Sequence, residues 1–440
     1  MPAPGLAARL EAALARGLGR ITGSALGPYQ SAVIRIGFAF TWLCFLLREL
    51  PHRHEMYGPD SPWSWDMARL LLDGNHAFTL LSWSDGRIWF ELVYALAIAS
   101  SALLLLGWRT RTMSVLFMVG VLSLQNRNIF MGDGGDNVVH LMSIYLVLTR
   151  CGQVWSLDAR RAARDEHPSG GSATGEDTSA EPAPGEPATG ERMPAGDRTG
   201  VVLWSVLGLL LAGGTLLGQL SWGWSLVFWG LWVTQALWWL VRRFAPGEPR
   251  TLLDVIANLA HNGTLLVIMV EVCLIYATAG WYKVQGSRWQ DGTALYYPMH
   301  LDYFSPWPAL SDALAGSGLL VMLITYGTVI VQVAFPFTLA NRRLKNVLLV
   351  LMITEHLSIA VVLGLPFFSL AMIAADAVFL PTGFLRRLGA WLTRGCDRLL
   401  AGTRFSRRKP SGTDPEAGAE LGAEPVAARD GEGPARTLVR

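Results

Sequence analysis

Long apolar runs separated by short arginine clusters are the feature that most constrains this chain. A run of about 20 apolar residues crosses the ~30 Å hydrocarbon layer as a helix, and only helices and closed barrels satisfy their backbone groups there. Charged residues make up 16% of the 440, against about 25% in soluble domains. We therefore predict an all-α polytopic membrane protein. Ten spans are expected, at 31–50, 88–107, 113–124, 138–148, 201–220, 224–241, 252–281, 318–340, 346–365 and 367–380.

The positions of Arg and Lys predict the orientation, because clustered cations favour the cytoplasmic side. With the N-terminus inside, each inner segment carries clustered cations, and these segments are 1–28, 108–112, 150–200, 242–251, 341–346 and 384–440. Both termini are then cytoplasmic, and the protein is expected in the cell membrane with the lipid bilayer as its surroundings. The long polar and aromatic stretches at 51–87, 125–137 and 283–315 face outward, so a site built from them would open outward.

Composition divides the chain into six segments. We predict an amphipathic N-terminal helix, the first part of a membrane domain, a disordered cytoplasmic linker, an extra helical hairpin, the second part of the membrane domain, and a basic then acidic disordered cytoplasmic tail. Their bounds are 1–28, 29–160, 161–200, 201–245, 250–385 and 386–440. The four cysteines are scattered without a CxxC motif, so neither a disulfide framework nor a metal site is expected. No nucleic acid is expected as a partner.

Lys283 closes the long apolar run at 252–281, where the helix is expected to leave the membrane. The chain has only two other lysines, Lys345 and Lys409, and both sit in arginine runs where any cation would serve. Arginine cannot release its proton near neutral pH, whereas a desolvated lysine can. One interpretation of Lys283 is therefore a proton-accepting base. The other is an anchor whose amine extends to the membrane surface.

Polar side chains of two outer stretches are candidates for substrate binding. The turn Gly132-Asp133-Gly134-Gly135-Asp136-Asn137 suits a cap on the following helix, and a pocket lining is the alternative. A calcium loop would need more oxygen ligands at fixed spacing. Trp289 and Asp291 belong either to a plain turn or to a loop over a pocket. The full candidate set is Arg127, Asp133, Asp136, Asn137, Trp289, Asp291, Tyr296 and His300.

Ionisable side chains inside spans are costly unless they are paired or face a cavity. Glu271, Glu355 and His356 fall at similar depth near the middle of their spans and predict a polar cluster between helices. Such groups either satisfy a neighbour or carry chemistry, and the sequence leaves both open.

Other polar side chains lie near the inner ends of spans. Asp254, Asn258 and His261 recur at i, i+4 and i+7 and share one helix face. Arg35, near the start of the first span, is expected to extend back to the headgroups.

The stretch Tyr276-Ala277-Thr278-Ala279-Gly280-Trp281-Tyr282-Lys283, followed by Trp289-Gln290-Asp291-Gly292, resembles the core signature of the HTTM (horizontally transferred transmembrane) family. These membrane proteins are related to vitamin K-dependent γ-carboxylase. Three further stretches, at 124–137, 155–159 and 356–368, are typical of bacterial members. The resemblance covers roughly 20–160 and 250–385.

The resemblance implies a cofactor and a role for the lysine. In the carboxylase, a lysine at the position matching Lys283 is thought to deprotonate reduced vitamin K, which oxygen then converts to the epoxide. A quinol epoxidase or carboxylase-like enzyme using reduced vitamin K or menaquinol is therefore expected. Lys283, Glu355 and His356 are its catalytic candidates, and a lipid quinone is its partner.

One departure limits the resemblance. The carboxylase has a large β-rich domain after its membrane part, whereas the chain after Leu380 is expected to be a basic stub and a tail. Carboxylation of a dedicated protein is therefore not expected. The competing hypothesis is a non-catalytic membrane partner in the maturation or export of a secreted peptide. On that hypothesis Lys283 is an anchor and the outer loops are a docking surface.

Overall fold

The computed structural model describes residues 6–166, 198–245 and 247–406, which are helical throughout apart from turns and loops. The described residues up to Arg386 form one compact unit, and those from Arg387 belong to a second. The helices are α1 Leu6–Gly23, α2 Pro28–Glu49, α3 Arg53–Met56, α4 Trp65–Asn75, α5 Arg87–Leu106, α6 Thr110–Arg127, α7 Gly134–Leu148, α8 Leu157–Glu166, α9 Arg198–Leu216, α10 Trp222–Phe244, α11 Glu248–Gln285, α12 Ser287–Gln290, α13 Pro308–Ala315, α14 Gly318–Ala334, α15 Arg342–Val362, α16 Pro366–Asp376 and α17 Thr382–Ser406.

Seven helical stretches of the described chain are long and apolar enough to cross a membrane: α2, α5, α9, α10, α11, Gly318–Thr338 and α15. An eighth is added if Pro366–Phe379 and Thr382–Gly395 count as one broken span. The predicted all-helical class is confirmed, and the apolar helices are compatible with a membrane protein. α6 and α7 form where two further spans are predicted, but they lie outside this set, and α7 has only 15 residues.

The core lies where α2 packs on α5 and α16, with α6 in contact with both α5 and α7. Phe38 and Trp42 of α2 are completely or almost completely buried there. Gly37 allows α2 to approach α16 closely, because a Cβ atom at this position would lie 2.5 Å from the Cβ of Ala374. A substitution there would force the two helices apart, since packed interiors have little free space.

The expectation that Arg35 extends to the headgroups is wrong. Its side chain is fully buried and donates hydrogen bonds to backbone carbonyls at the end of α5 and in the segment between α7 and α8. The acceptors are the oxygens of Cys151 at 3.2 Å, Leu105 at 3.0 Å, Trp155 at 2.7 Å and Leu104. The last carbonyls of a helix have no partner within the helix, so the guanidinium caps α5 from another helix.

The polar face of α11 also binds neighbouring backbone. Arg150 donates from its side chain to Asn258 at 2.6 Å and to Asp254 at 3.1 Å, and its backbone N–H donates to His261 Nδ1 at 2.9 Å. The other ring nitrogen of His261 contacts the carbonyl of Leu26 at 2.8 Å. This predicted face therefore joins α11 to the end of α7 and to the start of α2.

The peripheral segments are helical where the structure describes them. α1 lies in the segment predicted as an N-terminal helix, and α9 and α10 lie in the predicted hairpin, where the rings of Trp204 and Trp232 stack with their centroids 3.9 Å apart. Residues 386–406, predicted as part of a disordered tail, are helical within α17. Phe384, Leu388 and Trp391 recur there at helical spacing. Most of the predicted linker (167–197) and the rest of the tail (407–440) lie outside the described residues.

Candidate functional site

Lys283 lies where α11 crosses α14. Gly280, one turn earlier, permits the close crossing, because a Cβ atom there would lie 2.6 Å from a methyl carbon of Val333. The Lys283 amine donates to the side-chain oxygen of Gln332 at 2.7 Å, and the Gln332 amide donates to Glu355 at 2.6 Å. We call Lys283, Gln332 and Glu355 the lysine chain. It joins α11, α14 and α15 by side-chain hydrogen bonds.

A second set of polar side chains begins at the next residue of α15. His356 Nε2 lies 3.2 Å from the hydroxyl of Tyr276, and that hydroxyl lies 3.0 Å from both carboxyl oxygens of Asp376. These three side chains, which we call the aspartate branch, are exposed by 2% or less. Phe335 and Phe368 pack beside them with ring centroids 5.8 Å from Tyr276 and 5.6 Å from His356. The branch is therefore a polar group enclosed by aromatic rings.

The residues of the lysine chain take different positions along their helices: Lys283 and Gln332 lie close to the C-terminal ends of α11 and α14, and Glu355 lies in the interior of α15. Gln332 follows Gly318, the first residue of α14, by about 21 Å at ~1.5 Å per residue. Glu355 follows Arg342, the first residue of α15, by about 20 Å on the same basis. The Lys283 amine is directed to Gln332, which is only 5% exposed. Lys283 therefore lies at the end of its helix, as predicted, and its place relative to a membrane stays a prediction.

The predicted outer-loop residues divide between two places. Trp289 lies over Lys283, with the amine 5.2 Å from the ring centroid, a distance suited to a cation–π contact. Asp291 and Tyr296 instead line an open groove of about 420 Å³ beside the start of α14. The ring centroids of His300 and Tyr296 lie 4.1 Å apart, and a ring nitrogen of His300 lies 2.7 Å from the Tyr296 carbonyl oxygen.

Asp291 is held in its turn by Thr293. The hydroxyl and the backbone N–H of Thr293 both donate to it, and these hydrogen bonds hold the pKa of the Asp291 carboxyl below its ordinary value. The carboxylate is therefore ionised at one end of the groove, where the Arg288 guanidinium lies 3.5 Å from it and partly offsets its charge.

The turn before α7 forms the predicted helix cap. Asp133 accepts from the backbone N–H groups of Gly135 and Asp136, and Asp136 accepts in return from the Asp133 N–H. This reciprocal pair is a capping box. Asn137 is exposed at the start of the helix. Both carboxylates are thus used by the cap, and a role for these three residues in a pocket opposite Lys283 stays a prediction.

Arg127 is buried and binds backbone. Its side chain donates to the carbonyls of Trp63 at 2.9 Å and Gly58 at 3.4 Å. It therefore fastens the segment between α3 and α4 to the end of α6. A role for Arg127 in substrate binding stays a prediction.

Sequence reasoning misses Asp376 and places Glu271 in the wrong group. Asp376 lies within an apolar stretch of α16, and the rule that selects Glu355 and His356 applies equally to it. Glu271 pairs with Tyr145 instead of joining the predicted cluster. Among residues 6–166, 198–245 and 247–406, no group of three or more His, Cys, Asp or Glu side chains is placed to hold a metal ion.

The crossing of α11 and α14 makes a testable prediction. Gly280→Ala should lower the free energy of unfolding by about 1–3 kcal/mol, because the added methyl overlaps Val333. Gly263→Ala, in the same helix, meets nothing within 4 Å and should leave stability unchanged or raise it. Thermal unfolding of both variants in detergent measures the difference. Equal midpoints for the two variants would contradict a tight crossing at Gly280.

Comparison with known proteins adds no relative: no family model, no curated protein and no solved structure matches the chain.

Proposed function

We propose that the protein is an HTTM-type membrane enzyme that oxidises a reduced quinone, vitamin K or menaquinol, to its epoxide with dioxygen. Lys283 is the base that takes the first proton from a quinol hydroxyl. Overall, quinol and dioxygen give the epoxide and water, so one oxygen atom enters the ring and the other leaves with two hydrogens. The protein carries about ten spans and has both termini in the cytoplasm.

The observation that carries this proposal is that the side-chain amide of Gln332 lies between Lys283 and Glu355. A direct ion pair would hold the lysine as an ammonium group. Here the direct partner is the neutral oxygen of Gln332, to which either an amine or an ammonium group can donate. The carboxylate of Glu355 lies one hydrogen bond further away, close enough to favour the ammonium group once a proton has arrived. This arrangement suits a base that gains and loses a proton.

The position of the lysine chain favours a lipid-soluble substrate. Gln332 belongs to the apolar stretch Gly318–Thr338 and Glu355 to α15, and both stretches are long and apolar enough to cross a membrane. A reduced quinone dissolves in the hydrocarbon layer and can reach such a depth from the side, between helices. A water-soluble substrate would need a polar path to the same depth.

Orientation is tested by labelling single introduced cysteines in intact cells. Tyr303→Cys lies in a segment proposed to face outward, and Arg343→Cys lies in one proposed to face inward. A membrane-impermeant maleimide should label the first in intact cells and the second only after permeabilisation, with the wild type as the blank. The reverse pattern would overturn the orientation.

A non-catalytic partner of a secreted peptide is the second candidate, and the outer groove favours it. Asp291, Tyr296 and Tyr297 are exposed there on a segment proposed to face outward. Aromatic side chains beside a carboxylate suit a basic peptide. On this candidate, Tyr296→Ala and Asp291→Asn weaken peptide maturation, whereas Lys283→Arg is tolerated because an anchor needs only its charge.

A further inference from the structure

The aspartate branch has one ring nitrogen without a partner. His356 Nδ1 is buried and makes no hydrogen bond with the described residues. The other ring nitrogen faces the Tyr276 hydroxyl, whose far side faces Asp376. The three groups therefore form a line of hydrogen bonds that ends at Asp376 on one side. On the other side it ends at His356 Nδ1, which has no partner among the described residues.

Burial decides how many protons this line holds. Asp376 is fully buried, and its hydrogen bonds in the described chain come from Tyr276 alone, with no cation beside it. An isolated carboxylate in such a place costs several kcal/mol. The favoured resting form is therefore neutral: Asp376 keeps its proton and donates to the Tyr276 oxygen, Tyr276 donates to His356 Nε2, and His356 Nδ1 carries a hydrogen.

We infer that His356, Tyr276 and Asp376 form a proton-donating line that protonates the oxygen atom leaving as water, while Lys283 acts as the base. The inference rests on the proposed quinol oxidation, which supplies the departing oxygen. The Nδ1 hydrogen moves to that oxygen, the Tyr276 hydrogen moves to Nε2, and the Asp376 proton moves to the tyrosine oxygen. His356 and Tyr276 end neutral, and Asp376 ends as a carboxylate.

The protons balance over one reaction. Lys283 takes the proton of one quinol hydroxyl, and the second hydroxyl supplies one hydrogen of the water. The aspartate branch supplies the other hydrogen. The ammonium group of Lys283 then returns its proton to the carboxylate of Asp376, so both groups end as they began. Dioxygen is the oxidant, and no further reactant is required.

The test combines a spectroscopic and a kinetic measurement on the full-length protein in detergent. The wild type should show infrared C=O absorption of protonated carboxylic acids, and Asp376→Asn should lose the part of this absorption that Asp376 contributes. With reduced vitamin K and oxygen, Tyr276→Phe and Asp376→Asn should form epoxide about 100-fold more slowly with little change in KM. Ser369→Ala is the matched control, because this buried hydroxyl of α16 has no partner and lies outside the branch.

The outcomes separate the two proposals. If the wild type forms epoxide and both variants match its rate, the donor role of the branch is overturned while quinol oxidation stands. A carboxylic-acid absorption of unchanged intensity in Asp376→Asn also overturns it. If the wild type forms no epoxide from either quinol, the proposed function itself fails, whatever the infrared spectrum shows.

Discussion

Lys283→Arg and Lys283→Ala should each reduce epoxide formation by about 100-fold or more, the usual contribution of a general base. Arginine keeps the positive charge but does not release its proton near neutral pH, so it cannot serve as the base. Alanine removes the amine and leaves Gln332 without its donor. The comparison of the two variants separates the loss of a base from the loss of a charge.

Lys345→Arg is the matched control. Lys345, in the first turn of α15, donates to the carbonyl of Phe379. Arginine can make the same kind of contact. This variant should retain the activity of the wild type. The measurement is epoxide formation by mass spectrometry, with reduced vitamin K and with menaquinol, in the purified protein against a detergent blank.

The result also decides between the two candidate functions. Activity retained in Lys283→Arg but lost in Lys283→Ala would show that the charge is sufficient, which contradicts the base. No epoxide from the wild type with either quinol would leave the outer groove beside Tyr296 as the feature to examine for a peptide partner.

Long apolar runs were enough to predict the all-helical class, because a chain in a bilayer must satisfy its backbone groups within each segment. The cost of burying charge likewise predicted that Glu355 and His356 need partners, and the structure supplies them in Gln332 and Tyr276. These predictions succeed because each depends on local sequence and on one strong physical constraint.

The partners themselves could not be predicted, because they depend on how helices pack. Asp376 meets Tyr276 across a separation of 100 residues, and Lys283 meets Gln332 across 49. The contact of Lys283 with Gln332 depends in turn on the close crossing at Gly280, which the sequence presents only as one glycine among 46. Registers between helices are fixed by such contacts and not by periodicity.

The expectation for Arg35 failed for a related reason. A cation near the start of a span extends to the headgroups when nothing nearer binds it. Here the positive φ of 70° at Gly107 ends α5 beside α2, and the carbonyls of Leu104 and Leu105 at this helix end lie within reach of the guanidinium. Carbonyl oxygens at a helix end carry partial negative charge, and they bind Arg35 in place of water.

Arg35→Met should therefore lower the free energy of unfolding by about 3 kcal/mol or more, because it leaves several buried carbonyls without a donor at about 1–3 kcal/mol each. Arg35→Lys should recover only part of the loss, since an ammonium group cannot match the planar fork of the guanidinium. Arg48→Met is the matched control on α2, because Arg48 is 53% exposed and its pair with Glu49 contributes at most about 1 kcal/mol. Thermal unfolding in detergent should rank the variants in that order. Equal midpoints for Arg35→Met and Arg48→Met would show that the contacts of Arg35 do not hold α2, α5 and the segment after α7 together.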